Sequence, residues 1–393
     1  MYQQFLKEIE MGSKNALIKK RIITYYIYNG SSTIPDLSKE LDLSIPTVTK
    51  LIGEMFDEGY INDYGKLETS GGRHPHLYGL NPQSGYFIGV DIKKFSINIG
   101  LINFKGDMVD LKMDIPYNFE NSLEGMNELC SLILNFIKKL SIDTEKILNI
   151  NVNVSGRVNP ESGYSFSQFN FEERPLADVL SERLGYTVTI DNDTRAMTYG
   201  EYMQGCVKGE KDIIFVNVSW GLGIGIIIDG KIYKGKSGFS GEFGHISTFD
   251  NEIICHCGKK GCLEQYASAT GITRLANMRL AKDEKPSTLR NVAEMSAKEV
   301  FDAVKAGDEV AIEIATEFGK YLGHALANLA AACDPAVIVI GGGVSKAGEV
   351  LLDYIKGPFK EMAFFADKDT EFALAELAND AGICGAAKLV LED

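Results

Sequence analysis

The chain carries one strand-turn-strand plan twice. Tyr86 to Asp110 reads YFIGVDIKKFSINIGLINFKGDMVD, alternating and rich in Ile and Val, with turns at Lys93-Lys94 and near Lys105-Gly106. Asp212 to Gly235 repeats the plan as DIIFVNVSWGLGIGIIIDGKIYKG, and Val90-Asp91-Ile92 corresponds to Val216-Asn217-Val218. Alternating β-branched residues bounded by turn residues predict strands. Two such units at corresponding points predict an internal duplication, so the body is expected to be two similar α/β lobes. The two turns differ chemically. The second holds Gly221, Gly223 and Gly225, where backbone can approach an anion closely; the first holds Lys93, Lys94 and Phe95.

The segments around the hairpins complete an α/β pattern. An amphipathic helix (Leu123 to Leu140) precedes the strand Ile147 to Val154, and Ser155-Gly156-Arg157 follows at its C-terminal end. Open α/β sheets bind ligands at such ends. A second buried strand ends at Asp191-Asn192-Asp193, where a helix starts. Val310 to Cys333 predicts a long helix of small residues, and Val337 to Ile340 a buried strand running into the turn Gly341-Gly342-Gly343.

Gly241 to Glu264 reads GEFGHISTFDNEIICHCGKKGCLE and gathers His245, Cys255, Cys257 and Cys262 in a polar loop. Zinc takes four nitrogen or sulfur ligands in a tetrahedron, and structural sites use Cys and His at short spacings. Gly258 and Gly261 permit the tight backbone that such a loop needs. Free buried thiols or a disulfide are the alternatives, but a polar loop is a poor place for apolar Cys packing. A structural Zn2+ held by these four residues is expected, with His256 pointing away from it. The other cysteines, Cys130, Cys206, Cys333 and Cys384, are scattered. That suits a reducing cytoplasm better than a disulfide framework.

The N-terminal 82 residues have a different character. Lys14 to Tyr28 carries Leu17, Ile18, Ile22, Tyr25 and Tyr26 at helical spacing, and Asn29-Gly30 stops the helix. A second helix has Pro35 near its start; a third begins at Ser44 with Pro46 in its first turn and Val48, Leu51, Ile52 and Met55 as its apolar stripe. Two short helices joined by a tight turn are a helix-turn-helix, whose second helix reads the major groove. Thr47, Thr49 and Lys50 are therefore candidates for base edges, and Ser44 and Lys39 for phosphates. Tyr60 to Glu68 is expected to form a hairpin turning at Gly65, the wing of a winged helix. Arg73, after Gly71-Gly72, is a candidate for the minor groove. Asn81-Pro82 marks the boundary to the body.

The net charge of −14 argues against non-specific nucleic-acid binding, but it sits almost wholly outside residues 1–80, which hold nine basic and ten acidic residues. No apolar run reaches membrane-spanning length, and MYQQFLKEIE lacks a signal-peptide pattern. A cytoplasmic protein without membrane contact is expected.

GEFGH followed by CHCGKKGCLE resembles the signature of the ROK family (repressors, open reading frames and sugar kinases), a GExGH box followed by CxCGxxGCxE. The head likewise resembles that of ROK repressors, so the resemblance covers the whole chain. It implies a two-lobed actin-like (ribonuclease-H-like) body that closes on a sugar, with the lobes at 83–200 and 201–393 and a final helix, 382–391, packed back on the first lobe. It implies zinc on the four residues above, and sugar hydroxyls on Glu242, His245 and Glu264. Asn192 and Asp193 match the family's Asn-Asp, in which the Asp takes the proton from the attacking sugar hydroxyl; Asp193 would be catalytic only in a kinase. Gly156 matches a glycine set against the sugar, and Ser167 and Asn170 lie in a loop similar to one with polar sugar contacts. Gly221, Gly223, Gly341 and Gly342 lie where family kinases hold nucleotide. Family kinases carry a Gly-Gly-Thr-like first turn, and Lys93-Lys94-Phe95 departs from it, so ATP binding is expected to be weak or lost. The resulting expectation is a sugar-responsive transcriptional repressor, a homodimer or higher homo-oligomer whose partners are operator DNA and a sugar inducer. The rival readings are an ATP-dependent sugar kinase carrying a DNA-binding head, and a regulator whose head docks a protein.

Overall fold

The computed structural model describes residues 5, 7–9, 11–67, 74–171, 173–248, 253–282, 284–364, 369–377, 382–383 and 385. Its described residues form two compact units: the chain up to Val154 with Gly163–Asp191, and Ser155–Ser162 with Asn192–Gly385.

The first unit begins with the head. Helix α1 (Lys14–Asn29) is capped by Ser13, whose side chain accepts from the Ala16 amide. Strand β1 (Ser32–Thr33) leads into α2 (Ile34–Glu40), with Thr33 as cap and Pro35 in the first turn. Helix α3 (Ile45–Asp57) starts at Ser44, whose Oγ accepts from the Thr47 amide at 3.3 Å. Strands β2 (Ile61–Lys66) and β3 (His76–Leu80) pair antiparallel, in a sheet of order β1-β3-β2. This is the expected winged helix with two changes. Gly65 does not turn the hairpin: at φ +92° it lies inside β2, beside a register irregularity between Asp63 and Lys66. Leu17 is exposed, and the inner face of α1 is Ala16, Ile18, Lys19, Ile22, Ile23 and Tyr26. Lys19 is tolerated inside because its Nζ pairs with Glu58 at 2.6 Å and Glu54 at 3.1 Å on α3.

The head shares its core with the first lobe. The Tyr60 ring lies 5.8 Å from Phe5 and 5.9 Å from Phe104, which stacks 6.2 Å from Phe87. The Asn81 side chain donates to the Gly59 carbonyl at 2.8 Å, holding the join. Beyond it come β4 (Tyr86–Ile92), β5 (Ser96–Asn103), β6 (Met108–Pro116), α4 (Leu123–Ile137) and β7 (Ile147–Val154). The short strands β8 (Val158–Asn159) and β9 (Tyr164–Ser165), then α5 (Leu176–Leu184) and β10 (Val188–Asn192), follow. The sheet order is β10-β7-β4-β5-β6.

The second unit contains α6 (Asp193–Gln204), β11 (Ile213–Val218), β12 (Leu222–Ile228), β13 (Lys231–Ile232), α7 (Glu264–Ala267), α8 (Ala269–Lys282) and α9 (Ala297–Lys305). Then come α10 (Glu309–Cys333), β14 (Val337–Gly341), α11 (Glu349–Met362) and β15 (Glu371–Leu374). Its sheet order is β13-β12-β11-β14-β15. Reversed, this is the first sheet strand for strand. β4 pairs antiparallel with β5 and parallel with β7, as β11 does with β12 and β14. The duplication expected from the paired hairpins is thus present in topology. Helix α6, expected in the first lobe, groups with the second unit and packs on β12, because Gly223 and Gly225 leave room for Thr194 and Thr198. The expected final helix over 382–391 lies outside the described residues except for Gly382, Ile383 and Gly385.

Phe104 is 1 % exposed and shared by head and lobe. Phe104→Ala is expected to destabilise the protein by about 3–5 kcal/mol in urea denaturation followed by circular dichroism. A loss under about 1 kcal/mol would show that the aromatic stack does not join the two.

Candidate metal centre and the polar groups beside it

His245 sits on the 3-10 turn Phe243–His245, and the three cysteines follow on a knuckle. Isolated bridges Ser247–Cys262 and Ile254–Lys260 close that knuckle, and the Cys255 amide donates to the Lys259 carbonyl at 2.8 Å. Gly258 and Gly261 have φ of +87° and +79°, in the left-handed region that favours glycine. The result brings His245 Nδ1 to 3.6 Å from Cys255 Sγ, and Cys257 Sγ to 3.6 Å from Cys262 Sγ. All four ligand atoms lie within 4.8 Å of one another. A zinc tetrahedron built from Zn–S bonds of about 2.3 Å and Zn–N bonds of about 2.0 Å has edges of about 3.5–3.8 Å. Donor chemistry and spacing therefore fit such an ion. Burial and the neighbouring Cys257 and Cys255 push the Cys262 thiol up to about 12, so a thiolate set there needs a cation to balance it.

His256 does not point clear of this cluster. Its Nδ1 lies 3.7 Å from Cys255 Sγ and 3.2 Å from Glu264 Oε1, and its ring meets His245 edge-on at 5.0 Å. His245, Cys255, His256 and Glu264 form a second group of possible ligand atoms within 4.8 Å. The all-cysteine-and-histidine set has more of the soft donors that structural zinc prefers.

His245 uses its two nitrogens differently. Nδ1 faces sulfur, while Nε2 lies 3.7 Å from Glu242 Oε2. Burial pushes the Glu242 carboxyl above its ordinary range, against the charges of His245 and Arg157.

Asn192 and Asp193 begin α6. Asn192 accepts from the Arg195 amide at 3.1 Å and donates from Nδ2 to the Gly156 carbonyl at 2.9 Å. Asp193 Oδ2 accepts from Ser155 Oγ at 2.6 Å, and Oδ1 accepts from the Thr194 amide at 2.7 Å. Asp193 keeps some surface but lies deep in the fold, and that burial pushes its carboxyl up against the Ser155 and Thr194 bonds. Within the second unit the fold thus brings together Gly156, Asn192 and Asp193, and likewise Glu242, His245 and Glu264.

The glycines expected near a nucleotide are occupied by the protein itself. Glu264, 9 % exposed, accepts from the Leu222 amide at 3.0 Å, and a Cβ on Gly221 would meet its Oε2 at 2.5 Å. Gly223 packs on Thr194 Oγ1, and Gly341 on the Phe215 ring. Gly342, φ +82°, lies against Asn217 and Ser219. Ser219 Oγ donates to Asn217 Oδ1 at 2.6 Å and accepts from the Gly343 amide at 3.1 Å. Asn217 Nδ2 donates to Thr194 Oγ1 at 2.9 Å, and that hydroxyl reaches Asp193 Oδ1 at 3.3 Å. A polar chain therefore runs from Asp193 to the Gly343 turn. Trp220, at the hairpin tip, is 63 % exposed.

In the first unit, the Lys93 amide donates to the Ser96 carbonyl at 2.9 Å, and Lys94 Nζ sits 5.0 Å over the exposed Phe95 ring. Asn170 is exposed; its Oδ1 accepts from Asn121 at 2.8 Å, and its Nδ2 donates to the Phe166 carbonyl at 3.4 Å. Phe169 beside it has φ +52°, a strained value for a bulky residue, with its ring buried. The cap Ser44 and, on α3, Thr49 and Lys50 are exposed, as is Lys39 on α2; Thr47 is half-buried, its Oγ1 2.7 Å from Ser44 Oγ. Lys50 Nζ lies 3.7 Å from Glu54 on the same helix. Arg73 lies outside the described residues. Sequence reasoning passed over Ser155, Thr194, Arg195, Asn217 and Ser219. Ser155 and Thr194 flank Gly156 and Asp193, and adjacency was the available signal for those two.

The ROK family model matches residues 87–393, and a winged helix-turn-helix DNA-binding model matches residues 17–62. A glucokinase from Halalkalibacterium halodurans is 35 % identical over 316 residues, 78 % of this chain and 94 % of that one. A xylose repressor from Caldicellulosiruptor bescii is 30 % identical over 362 residues, 91 % of each chain. Among solved structures, a ROK family transcriptional regulator, a homologue of the E. coli MLC protein, superposes with TM-score 0.81 at 26 % identity, covering 95 % of this chain and 96 % of that one. With its body matched over its whole length and its head matched separately, the chain is a member of the ROK family that carries an N-terminal winged helix-turn-helix.

Proposed function

We propose that this chain is a cytoplasmic, sugar-responsive transcriptional repressor that binds operator DNA as a homodimer. The observation that carries this reading is the head: a winged helix with an exposed reading face shares one hydrophobic core with a ROK lobe. The similarity to a xylose repressor across nine-tenths of both chains supports it, because that match includes the head. Thr49 and Lys50 would face base edges and Ser44 and Lys39 phosphates, with Thr47 held in the helix cap. Two-fold operator half-sites about one helical turn apart would require a dimer.

In this reading the sugar meets Asn192, Asp193, Glu242, His245 and Glu264. His245, Cys255, Cys257 and Cys262 would hold zinc, which supplies a fixed loop and a fixed imidazole. Glu242 and the outward Nε2 of His245 then present an acceptor and a ring nitrogen to hydroxyls. Asn192 and Asp193 offer amide and carboxylate at the opposite end of the polar chain from the Gly343 turn. The inducer's differential affinity for two states needs to supply only about 1–3 kcal/mol to change operator occupancy usefully.

A glucokinase relative at 35 % identity favours a second reading, an ATP-dependent sugar kinase in which Asp193 is the base. Against it stand the amides of Leu222 and Gly343, already taken by Glu264 and Ser219, and the glycine-free first turn at Lys93-Lys94. ATP is therefore not assigned as a ligand.

Cys257→Ser is expected to lower bound zinc, measured by mass spectrometry on purified protein, from about one per chain to well under half. Wild-type metal content in the variant would remove Cys257 from the ligand set. Asp193→Ala is expected to abolish sugar-dependent thermal stabilisation while operator affinity without sugar stays within about two-fold of wild type. Undiminished sugar stabilisation would remove Asp193 from the site and count against the whole reading.

A further inference from the structure

We propose that Arg195 is the positioning residue of the sugar site, a buried clamp that holds two loops to the first turn of α6. The proposal rests on the sugar-sensing reading above and adds to it a residue that touches no ligand.

Arg195 is 2 % exposed. Its Nη1 donates to the Gly238 carbonyl at 2.6 Å and its Nη2 to the Val158 carbonyl at 3.4 Å. These carbonyls belong to two loops that approach each other closely. Gly238 has φ +74°, and a Cβ there would meet the Val158 oxygen at 2.6 Å and Pro160 Cδ at 2.8 Å. The guanidinium bonds to both sides of that contact through a rigid planar fork of donors, a fixed geometry that a lysine ammonium lacks.

The segment Ser155–Ser162 groups with the second unit although the chain on either side of it belongs to the first. Three residues of one helical turn grip it. Asn192 donates to the Gly156 carbonyl, Asp193 accepts from Ser155, and Arg195 donates to the Val158 carbonyl. Two of these three, Asn192 and Asp193, are also the residues assigned to sugar hydroxyls. A ligand that takes their polar atoms competes with Gly156 and Ser155 for them. Arg195 has no such competitor, since no sugar reaches a buried guanidinium. Its bonds keep the segment in place while Asn192 and Asp193 exchange protein partners for ligand hydroxyls. Its charge also sits near the Asp193 carboxyl and favours the ionised form, which accepts hydroxyl hydrogens.

The test compares full-length, zinc-loaded wild type with Arg195→Met, which keeps bulk and removes the donors, and Arg195→Lys, which keeps charge without the fork. Hydrogen–deuterium exchange reports on peptides covering 155–162 and 236–241, and calorimetry reports affinity for whichever sugar of a panel stabilises the wild type. In Arg195→Met, exchange of both peptides is expected to rise at least about ten-fold while peptides from α10 stay unchanged, with sugar affinity down at least about ten-fold; the lysine variant falls between. A merely structural arginine would lower the melting temperature and leave sugar affinity alone. Wild-type exchange in the two loops, or sugar affinity within about two-fold of wild type, overturns the proposal. If the wild type binds no sugar of the panel, the sugar-sensing reading and the positioning role fall together, and loosened loops in Arg195→Met then establish a fold clamp only.

Discussion

The imidazole of His245 faces sulfur with one nitrogen and a carboxylate with the other, and that division of labour organises the second unit. A histidine on a polar loop ordinarily turns about its side-chain bonds and presents no fixed surface. Here Nδ1 is drawn into a cluster of thiols by a knuckle whose backbone needs glycine at 258 and 261. What remains, Nε2 beside Glu242, is fixed as a consequence. The cost is a loop that is polar and short of apolar packing, in which the proposed zinc would hold the thiolates together. Glu264 starts α7 directly after the knuckle, so the same loop also sets the carboxylate that meets the β11–β12 hairpin.

That carboxylate bears on how the glycines of the β11–β12 hairpin are used. Glycines in a hairpin are open to two uses: they expose amides to an anion, or they let another side chain come close. In this chain the second use prevails. Glu264 closes over Gly221 and takes the Leu222 amide, while Thr194 and Thr198 press on Gly223 and Gly225. Ser219 takes the Gly343 amide. A phosphate entering here would have to displace a carboxylate, which burial and like charge both oppose. The polar chain from Asp193 through Thr194, Asn217 and Ser219 ties the Gly343 turn to the start of α6 and braces the residues proposed to meet the sugar.

Much of this was legible in the sequence. The doubled strand-turn-strand pattern predicts two equivalent sheets, and β11, buried on both faces, reads as a nearly continuous apolar run bounded by turn residues. The head was equally readable, because Ser44 reads as a cap and Pro35 and Pro46 sit where a helix tolerates them. The Cys/His spacing pointed to the cluster that the fold assembles. What could not be read was set by contacts far apart in the chain. Leu17 looks like a core residue by spacing, yet the helix turns Lys19 inward because Glu54 and Glu58 await it some 35–39 positions away. Gly65 looks like a turn and lies inside β2, at a register irregularity. GLGIG looks like a phosphate loop, and only the three-dimensional neighbours Glu264, Thr194 and Thr198 show what its glycines admit. Arg195 carries no sequence signal at all, since its partners are main-chain carbonyls of two other loops.

The account depends on a head that reads DNA and a body that senses sugar without nucleotide. The most direct measurement is fluorescence anisotropy of labelled DNA from the protein's own upstream region, bound by full-length zinc-loaded protein and titrated with a panel of sugars, with and without ATP. The account predicts that at least one sugar shifts operator affinity about five-fold or more, and by the same factor whether or not ATP is present. Operator affinity unmoved by every sugar, or moved only when ATP is present and consumed, would contradict it.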